Sequence, residues 1–403
     1  MSTALTADEL AARVEEFLAA HDPAQLQTDE DRLEWLRARF DAGLAWVSYP
    51  AGLGGLGLPR AMQGAVDAAF RAAGAPSNRP EVNGIGLGMA APTILAYGTD
   101  EQKQRFLRPL WTGEEIWCQL FSEPGAGSDL AGVATRAVLD NDTWVVNGQK
   151  VWTSGAHNAD LAILVARTDP DVPKHSGLTY FLCDMHDPGV DVRPLRQITG
   201  EAEFNEVFLT DVRIPDSSRL GAVGEGWRVA NTTLNNERVA IGGRVAPREE
   251  GMIGVVAQTW RDHPERRTAS AHDRLLRLWV DSEVARLTGE RLAQKIAMGQ
   301  PGPEAAAMKL SFARNYQQLS GLELEILGEA GLRYENQQGW TMVRPDHVSF
   351  TGRDAGYRYL RAKGNSIEGG TSEILRNIVA ERVLGLPAEP RADKNIPWKE
   401  SLR

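Results

Sequence analysis

A glycine-rich stretch with small hydroxyl side chains is the first feature of this sequence that could do chemistry. It runs from Ser122 to Asp129, and it can bring several backbone N–H groups close to a phosphate or a flat polar ring. Further along the chain, Trp152, Thr153 and Ser154 place an aromatic plane beside two hydroxyl groups. Together the two segments could hold an aromatic cofactor, although an ordinary β turn and a core tryptophan would leave the same pattern.

A second glycine pattern has the spacing of a nucleotide-binding turn. Gly52, Gly54 and Gly57 spell G-x-G-x-x-G between an apolar stretch and a helical pattern. The helical stretch 62–72 is followed by the loop 74–80 and not by a second strand with an acidic residue for a ribose. We therefore interpret these glycines as a turn between two helices.

The composition is that of an ordinary folded protein with two or three domains. Of its 403 residues, 42% are hydrophobic and 24% charged, which excludes collagen-like and disordered classes. A net charge of -10 at pH 7 repels phosphate polyanions and argues against nucleic acid as the main partner. Cys118 and Cys183 are too few for a disulfide framework, and no Cys/His spacing indicates a metal. We expect reduced cysteines, no metal and a cytoplasmic protein.

The amino terminus predicts a helix and not a targeting signal. Thr6 and Glu9 can form a capping box ahead of apolar residues at helical spacing, with acids among them. The longest uncharged run, 82–99, contains Asn83, Pro92 and four glycines. We interpret it as a buried helical segment and predict no membrane span.

Secondary-structure elements must position the glycine-rich stretch and the Trp152 segment. Their predicted type changes twice along the chain, from helix to strand and back to helix. Helical periods dominate the first third, at 33–40, 62–72, 92–97 and 102–110. Apolar, β-branched strands follow at 144–146, 150–152, 161–167, 178–183, 190–192 and 206–214, with Asn147-Gly148 as a hairpin signal between the first two. Helical periods then return, first with Leu276, Val280, Val284 and Leu287 on one face, then at 310–327 and 374–384.

The sequence therefore predicts an α+β multidomain protein. The predicted units are an N-terminal α-helical domain (1–117), a middle β-barrel or sandwich domain (118–225), a C-terminal helical bundle (226–388) and an extended C-terminal arm (389–403).

Several motifs, taken in order, resemble those of the acyl-CoA dehydrogenase family. They are YGTDEQK (97–103), FSEPGAGSD (121–129), VNGQKVWTSG (146–155), GEGW (224–227), NNERVAIGG (235–243) and GGTSEILRNIVAERVLGLP (369–387). The resemblance covers nearly the whole chain. It implies an α domain, a β domain and a C-terminal four-helix domain, with FAD between the last two and assembly into a dimer or tetramer.

The resemblance also implies which residues bind the cofactor. In the middle domain it assigns flavin contacts to Phe121, Ser122, Trp152, Thr153 and Ser154, with Trp152 packed against the isoalloxazine and Ser154 next to flavin N5. Gly127 and Ser128 match positions near the pyrophosphate and the substrate. Thr371 and Glu373, at the start of the last helix, match positions that reach the other half of FAD.

The chain departs from the family where neighbouring subunits meet. The Arg-x-x-Phe-Gly motif, which sends an arginine to the partner's FAD, is absent around 261–268, and Glu-Ile-Leu-Gly-Glu replaces Gln-x-x-Gly-Gly at 325–329. Contacts between FAD and a second subunit are therefore open, as is the choice between a homo-oligomer and a hetero-oligomer.

The implied reaction is α,β-dehydrogenation of an acyl-CoA thioester to the 2-enoyl-CoA. A carboxylate takes the α proton while the β hydrogen leaves as hydride to flavin N5, and a backbone N–H of the segment containing Glu368 and Gly369 polarises the thioester. Many members place the base where this chain has Gly369. The pair Glu237-Arg238 matches the Glu-Arg pair that carries the base in isovaleryl-CoA and long-chain enzymes.

We favour Glu237 as the base and keep Glu368 as the alternative. If they are not catalytic, Glu237 is an acid in the first turn of a helix and Glu368 is a polar cap.

Three functions remain open. They are a dehydrogenase that passes electrons to an electron-transferring flavoprotein, an oxidase that uses O₂, and a non-catalytic subunit of a heteromeric dehydrogenase. The acyl group could be fatty, branched or steroid-derived.

Overall fold

The structure of the protein is a computed structural model. It describes residues 5–242, 247–298, 302, 304–333, 350–391 and 393–401. Within α6 it describes the backbone as far as residue 242 but the side chains only as far as residue 236.

Helices build the first part of the chain. They are α1 (Ala7–Ala20), α2 (Asp29–Asp41), α3 (Gln63–Ala72), α4 (Ala91–Tyr97) and α5 (Asp100–Thr112). Thr6 and Glu9 form the predicted capping box, and Thr99 with Gln102 forms another at α5. A five-residue π-helix, Gly86–Ala90, leads into α4, so most of the uncharged run 82–99 is helical as predicted, but it is only partly buried.

The three glycines with nucleotide-fingerprint spacing lie in the connection between α2 and α3. Gly52, Gly54 and Gly57 all have positive φ angles, between 68° and 83°. A Cβ on Gly54 would lie 2.5 Å from the ring of Phe40, so the backbone approaches this core ring closely. The prediction of a turn between helices is confirmed.

A single curled sheet forms the middle of the molecule. Its strands are β1 (Trp117–Leu120), β2 (Arg136–Asp140), β3 (Thr143–Ser154), β4 (Leu161–Arg167), β5 (Leu178–Asp184), β6 (Val190–Leu195) and β7 (Phe204–Pro215). They follow the order β1-β4-β2-β3-β7-β6, with β5 paired to β4. Strand β4 is a continuous apolar run and is buried along almost its whole length, as expected for a strand covered on both faces.

The predicted hairpin at Asn147-Gly148 is wrong. Both predicted strand segments belong to the one long strand β3, and its turn to β2 lies at Asn141, whose φ is 58°. The pairing of β3 with β7 shifts register between Val146 and Gly148. A Cβ on Gly148 would lie 2.3 Å from Thr135 Oγ1, so this glycine permits a close approach at a bulge and does not make a turn.

Helices return after the sheet. They are α6 (Gly226–Gly242), α7 (Met252–Asp262), α8 (Ala269–Ala297), α9 (Ala305–Leu327), α10 (Ala355–Ala362) and α11 (Ser372–Ile378). A π-helical turn, Val379–Val383, continues α11. Leu276, Val280, Val284 and Leu287 lie on α8 as predicted, and each remains about half exposed. The predicted class, with helices before and after a middle sheet, is confirmed.

The glycine at the bulge generates a stability prediction. Gly148→Ala should lower the free energy of unfolding by about 1–3 kcal/mol, because the new methyl group meets the Thr135 side chain and its Cα, 2.7 Å away. Gly64→Ala is the matched control, since a Cβ there meets no atom within 4 Å and α3 gains helix propensity. Thermal unfolding measures both. Equal melting temperatures for Gly148→Ala and wild type would contradict the close approach.

Candidate functional site

The glycine-rich stretch forms an exposed loop directly after β1. Phe121 is buried and packs edge-on against Tyr180, with 5.8 Å between ring centroids. The backbones of Glu123 and Ala126 exchange two hydrogen bonds of 3.0 Å, which close a tight turn. A Cβ on Gly125 or Gly127 would meet no atom within 4 Å, so the loop backbone is open to a ligand. Ser128 is exposed at the end of this turn.

A buried ion pair fixes this loop to the sheet. Lys150, on β3, is completely buried and donates hydrogen bonds to Glu123 Oε1 (2.8 Å) and to the carbonyl oxygens of Phe121 (3.0 Å) and Val165 (2.8 Å). Glu123 also accepts from the backbone N–H groups of Ala134 and Thr135. Burial by itself raises the pKa of the Glu123 carboxyl, but Lys150 and these donors hold the pKa below its ordinary value.

A bulge near the end of β3 turns Trp152 outward. The pairing with β7 shifts register between Lys150 and Thr153, and Trp152 adopts φ 62°, which is rare for a residue with a bulky side chain. Its ring is 61% exposed and stands edge-on to Phe204, with 6.0 Å between centroids. Because the Val151 N–H donates to Ser122 O (2.9 Å), the tryptophan and the glycine-rich loop adjoin.

The two residues after Trp152 face opposite ways. Thr153 is buried, and its Oγ1 has no hydrogen-bond partner within the described part of the chain, whereas Ser154 is exposed. The amide of Asn205 donates to Thr153 O at 3.1 Å and so holds the backbone beyond the bulge. Ser154 therefore presents a hydroxyl on the same side as the exposed indole.

Arg361 connects the C-terminal helices to the side of the sheet that carries Trp152. Its guanidinium donates to Glu368 Oε2 (2.8 Å) and Oε1 (3.2 Å), and it lies 5.9 Å from the ring centroid of Phe204. Burial lowers the pKa of Arg361, but the hydrogen bonds and charge of Glu368 outweigh it, so the net direction is upward. Glu368 is thus an ion-paired carboxylate and not a free one.

The turn after Glu368 is built from two glycines. Gly369 and Gly370 have φ angles of 62° and 95°, and the buried Lys309 donates to Gly370 O at 2.8 Å. Thr371 then caps α11 by accepting the Ile374 N–H at 3.2 Å. Glu373 in the first turn is exposed and pairs only with Arg376 among the ion pairs described.

The favoured base, Glu237, and its neighbour Arg238 lie on α6, but their side chains fall outside the described residues. Thr233, one helical turn earlier, is buried and bonds the Tyr180 hydroxyl at 2.9 Å and Thr93 Oγ1 at 3.0 Å. This hydroxyl cluster fixes α6 against α4 and β5.

The structure thus joins the glycine-rich loop and the Trp152 segment directly and brings Glu368 to them through Arg361. Sequence reasoning missed Arg361, Phe204 and Asn205. Arg361 stands seven residues before Glu368, a spacing that carries no recognisable signal. Its other contacts, with Glu203 and Phe204 at the start of β7, are distant in the chain. The roles given to the individual site residues stay predictions.

The described residues contain neither a membrane-spanning helix nor a cluster of metal ligands. No helix among them combines the length and apolar character needed to cross a membrane. No cluster of three or more His, Cys, Asp or Glu side chains in the described ranges could hold a metal ion.

Comparison with known proteins identifies the family. Family models described as the N-terminal, middle and C-terminal domains of acyl-CoA dehydrogenase match residues 5–114, 118–212 and 224–384. The chain is 43% identical to acyl-CoA dehydrogenase FadE34 of Mycobacterium tuberculosis over 87% of this chain, but it spans only 46% of that protein. It is 41% identical to acyl-CoA dehydrogenase IpdE1 of the same organism, over 90% of each chain. The solved structure of the Tcur3481-Tcur3483 steroid ACAD is 28% identical with a TM-score of 0.69, over 95% of this chain and 98% of that one.

The chain belongs to the acyl-CoA dehydrogenase family. The members of this family are FAD-dependent oxidoreductases, and the predictions of the family, the fold class and FAD as the cofactor are confirmed. The site residues fit this cofactor, because the exposed Trp152 ring offers a flat apolar face and the open backbone at Gly125 and Gly127 admits a pyrophosphate.

The buried ion pair beneath the loop generates a pH prediction. Because the pKa of Glu123 is lower in the folded state, its stabilisation is complete above the ordinary value of 4.5 and is lost as the pH falls through the lower folded value. Glu123→Gln should remove this dependence. By leaving the Lys150 ammonium buried without its counter-ion, it should also cost about 3–5 kcal/mol at neutral pH.

Urea unfolding at a series of pH values measures the effect. Asp273→Asn is the control, since its ion pair with Arg277 is exposed and should contribute about 0–1 kcal/mol. A Glu123→Gln protein as stable as wild type at neutral pH would show that the pair does not hold the loop.

Proposed function

We propose that this chain catalyses the α,β-dehydrogenation of an acyl-CoA thioester to the 2-enoyl-CoA. The observation that carries the proposal is the exposed Trp152, turned outward by a bulge in β3 beside the open glycine-rich loop. Phe204 and Arg361 connect it to Glu368. A large aromatic side chain in a left-handed backbone conformation is costly, and such strain concentrates at functional sites.

The chain's own residues have three tasks in this reaction. Trp152 and Ser154 bind one side of the flavin ring system. Ser122 and Ser128 orient the polar groups next to that ring system. When bound, FAD supplies the hydride acceptor. The backbone at Glu368 and Gly369 donates to the thioester oxygen and so stabilises the negative charge that develops when the α proton leaves.

We assign the removal of that proton to Glu237, with Arg238 beside it. The argument rests on Glu368, whose two carboxylate oxygens are both occupied by Arg361. To reach a substrate proton, the carboxylate would first have to leave this charge-assisted pair. Glu368 then serves to hold the glycine turn, and it remains the alternative base.

The electron acceptor, the assembly and the acyl group also belong to the proposal. An electron-transferring flavoprotein is the proposed acceptor, and the half-exposed apolar face of α8 favours a dimer or tetramer. The Tcur3481-Tcur3483 relative is named for two components, which keeps a hetero-oligomer open, and its steroid substrate class favours a bulky acyl group. We propose a cytoplasmic location, since both cysteines are free and buried and burial raises the pKa of each thiol.

Anaerobic titration of the purified protein with a panel of acyl-CoAs tests the function. Loss of flavin absorbance with at least one thioester is the expected result. Rapid reoxidation in air would instead identify an oxidase, and a protein that binds no FAD would identify a non-catalytic subunit.

The Trp152 assignment has its own test. Trp152→Ala should raise the Kd of FAD about tenfold, since aromatic stacking contributes about 0.5–1.5 kcal/mol beyond the buried area. Trp152→Phe is the matched control, because it keeps a ring at the same position. FAD titration of the deflavinated proteins, followed by absorbance, measures the effect. Wild-type affinity and an unchanged flavin spectrum in Trp152→Ala would show that this segment does not face the flavin.

The base assignment is tested by two matched variants. Glu237→Gln keeps size and hydrogen-bonding reach but removes the proton acceptor, so flavin reduction should slow by about 10²-fold or more while FAD and acyl-CoA still bind. Glu368→Gln should cost much less. Single-turnover reduction is the measurement, since product release can conceal the chemical step. Near-normal reduction in Glu237→Gln with none in Glu368→Gln would transfer the role to Glu368.

A further inference from the structure

The C-terminal arm returns to the sheet after the last helix. The family match ends at residue 384, and the described residues 393–401 lie beyond it. Pro397 and Pro173 lie opposite each other in an isolated antiparallel β-bridge. The Trp398 N–H donates to Val172 O at 2.9 Å, and the Lys399 N–H donates to Pro170 O at 3.1 Å. The arm therefore packs beside the connection between β4 and β5.

Trp398 anchors this contact next to the glycine-rich loop. It is only 8% exposed, and its Nε1 donates to Gly132 O at 3.2 Å. Its ring lies 4.3 Å from the guanidinium carbon of Arg167, a cation–π contact. Arg167 in turn donates to Ala131 O (2.5 Å) and Val133 O (3.1 Å). The segment 130–133, which directly follows the glycine-rich loop, therefore accepts hydrogen bonds from both Arg167 and Trp398.

A second contact reaches the loop through Lys174. Its ammonium group is bonded to Asp129 Oδ2 at 2.8 Å and to Asp393 Oδ2 at 2.5 Å. Asp129 belongs to the glycine-rich loop and follows Ser128 directly, whereas Asp393 belongs to the arm. With its side chain only 12% exposed, Lys174 forms a partly buried link between the two acids.

We propose that Asp393 and Trp398 of the arm are positioning residues that hold the glycine-rich loop ready to bind a nucleotide pyrophosphate. A loop with two unhindered glycines has many conformations, and each must be given up when a ligand binds. Contacts that fix the loop beforehand reduce this entropic cost and raise affinity. The identity of the ligand, FAD or the CoA moiety of the substrate, rests on the proposed function; the ordering of the loop does not.

Three variants test the proposal in the full chain. Asp393→Asn breaks the link through Lys174, and Trp398→Ala removes the ring over Arg167. Lys399→Gln is the matched control, because Lys399 lies on the same arm and pairs with Asp171 at an exposed position away from the loop. Hydrogen exchange of amides 125–132 reports loop order, and titrations with FAD and with CoA report affinity for each ligand separately.

Both arm variants should speed exchange in 125–132. The Kd of FAD or of CoA should rise, by about threefold in Asp393→Asn and about tenfold in Trp398→Ala, with the control at wild-type values. The rate of flavin reduction at saturating substrate should stay near the wild-type rate. If Asp393 and Trp398 had only a structural role, the variants would have a lower melting temperature and both Kd values would be unchanged. If Trp398→Ala does not fold, Trp398→Phe and Asp393→Asn still decide the question.

Two results would overturn the proposal: unchanged exchange in both variants, or faster exchange with both Kd values within about twofold of wild type. If the wild-type protein binds neither FAD nor CoA, the proposed function and the ligand part of this inference fail together. The exchange comparison then still decides whether the arm orders the loop.

Discussion

One buried ion pair carries the geometry on which the rest of the site depends. Lys150 and Glu123 meet in an apolar interior where either charge alone would be unstable, and backbone groups satisfy their remaining hydrogen-bonding capacity. Because Lys150 stands two residues before Trp152 and Glu123 opens the glycine-rich turn, the pair fixes the aromatic face relative to the loop. Neither segment can shift without separating two buried charges.

Charged groups also connect the sheet to the C-terminal helices. The buried Glu201, just before β7, accepts from Arg353 at 2.7 Å and from the Tyr357 hydroxyl at 2.8 Å. Arg361 lies on α10, as Tyr357 does, and it adds contacts with Glu368 and with the ring of Phe204. Directional contacts of this kind specify one arrangement of two packed units more narrowly than apolar packing does.

The sequence predicted most of the fold because its signals are local. Capping boxes, helical periods and apolar strands are all set by neighbouring residues, and they located elements such as α1, α5 and β4. The strands β1 and β2 and the helices α7 and α10 were not predicted. The hairpin prediction failed at Gly148, because a glycine that permits a turn and one that permits close approach to Thr135 look identical in sequence. Arg361 and Trp398 were missed for a related reason. The contact of Arg361 with Phe204 and that of Trp398 with Gly132 join residues far apart in the chain, and no periodicity records such contacts.

The position of the arm has a consequence for the order of events during synthesis. Trp398 bonds to Gly132, 266 residues earlier in the chain, so this contact forms only after residue 398 has left the ribosome. The sheet and its buried ion pair can assemble earlier from nearby residues. Folding would then proceed in two stages, with the sheet formed first and the contacts of the arm added later. The glycine-rich loop would reach its final order only in the second stage.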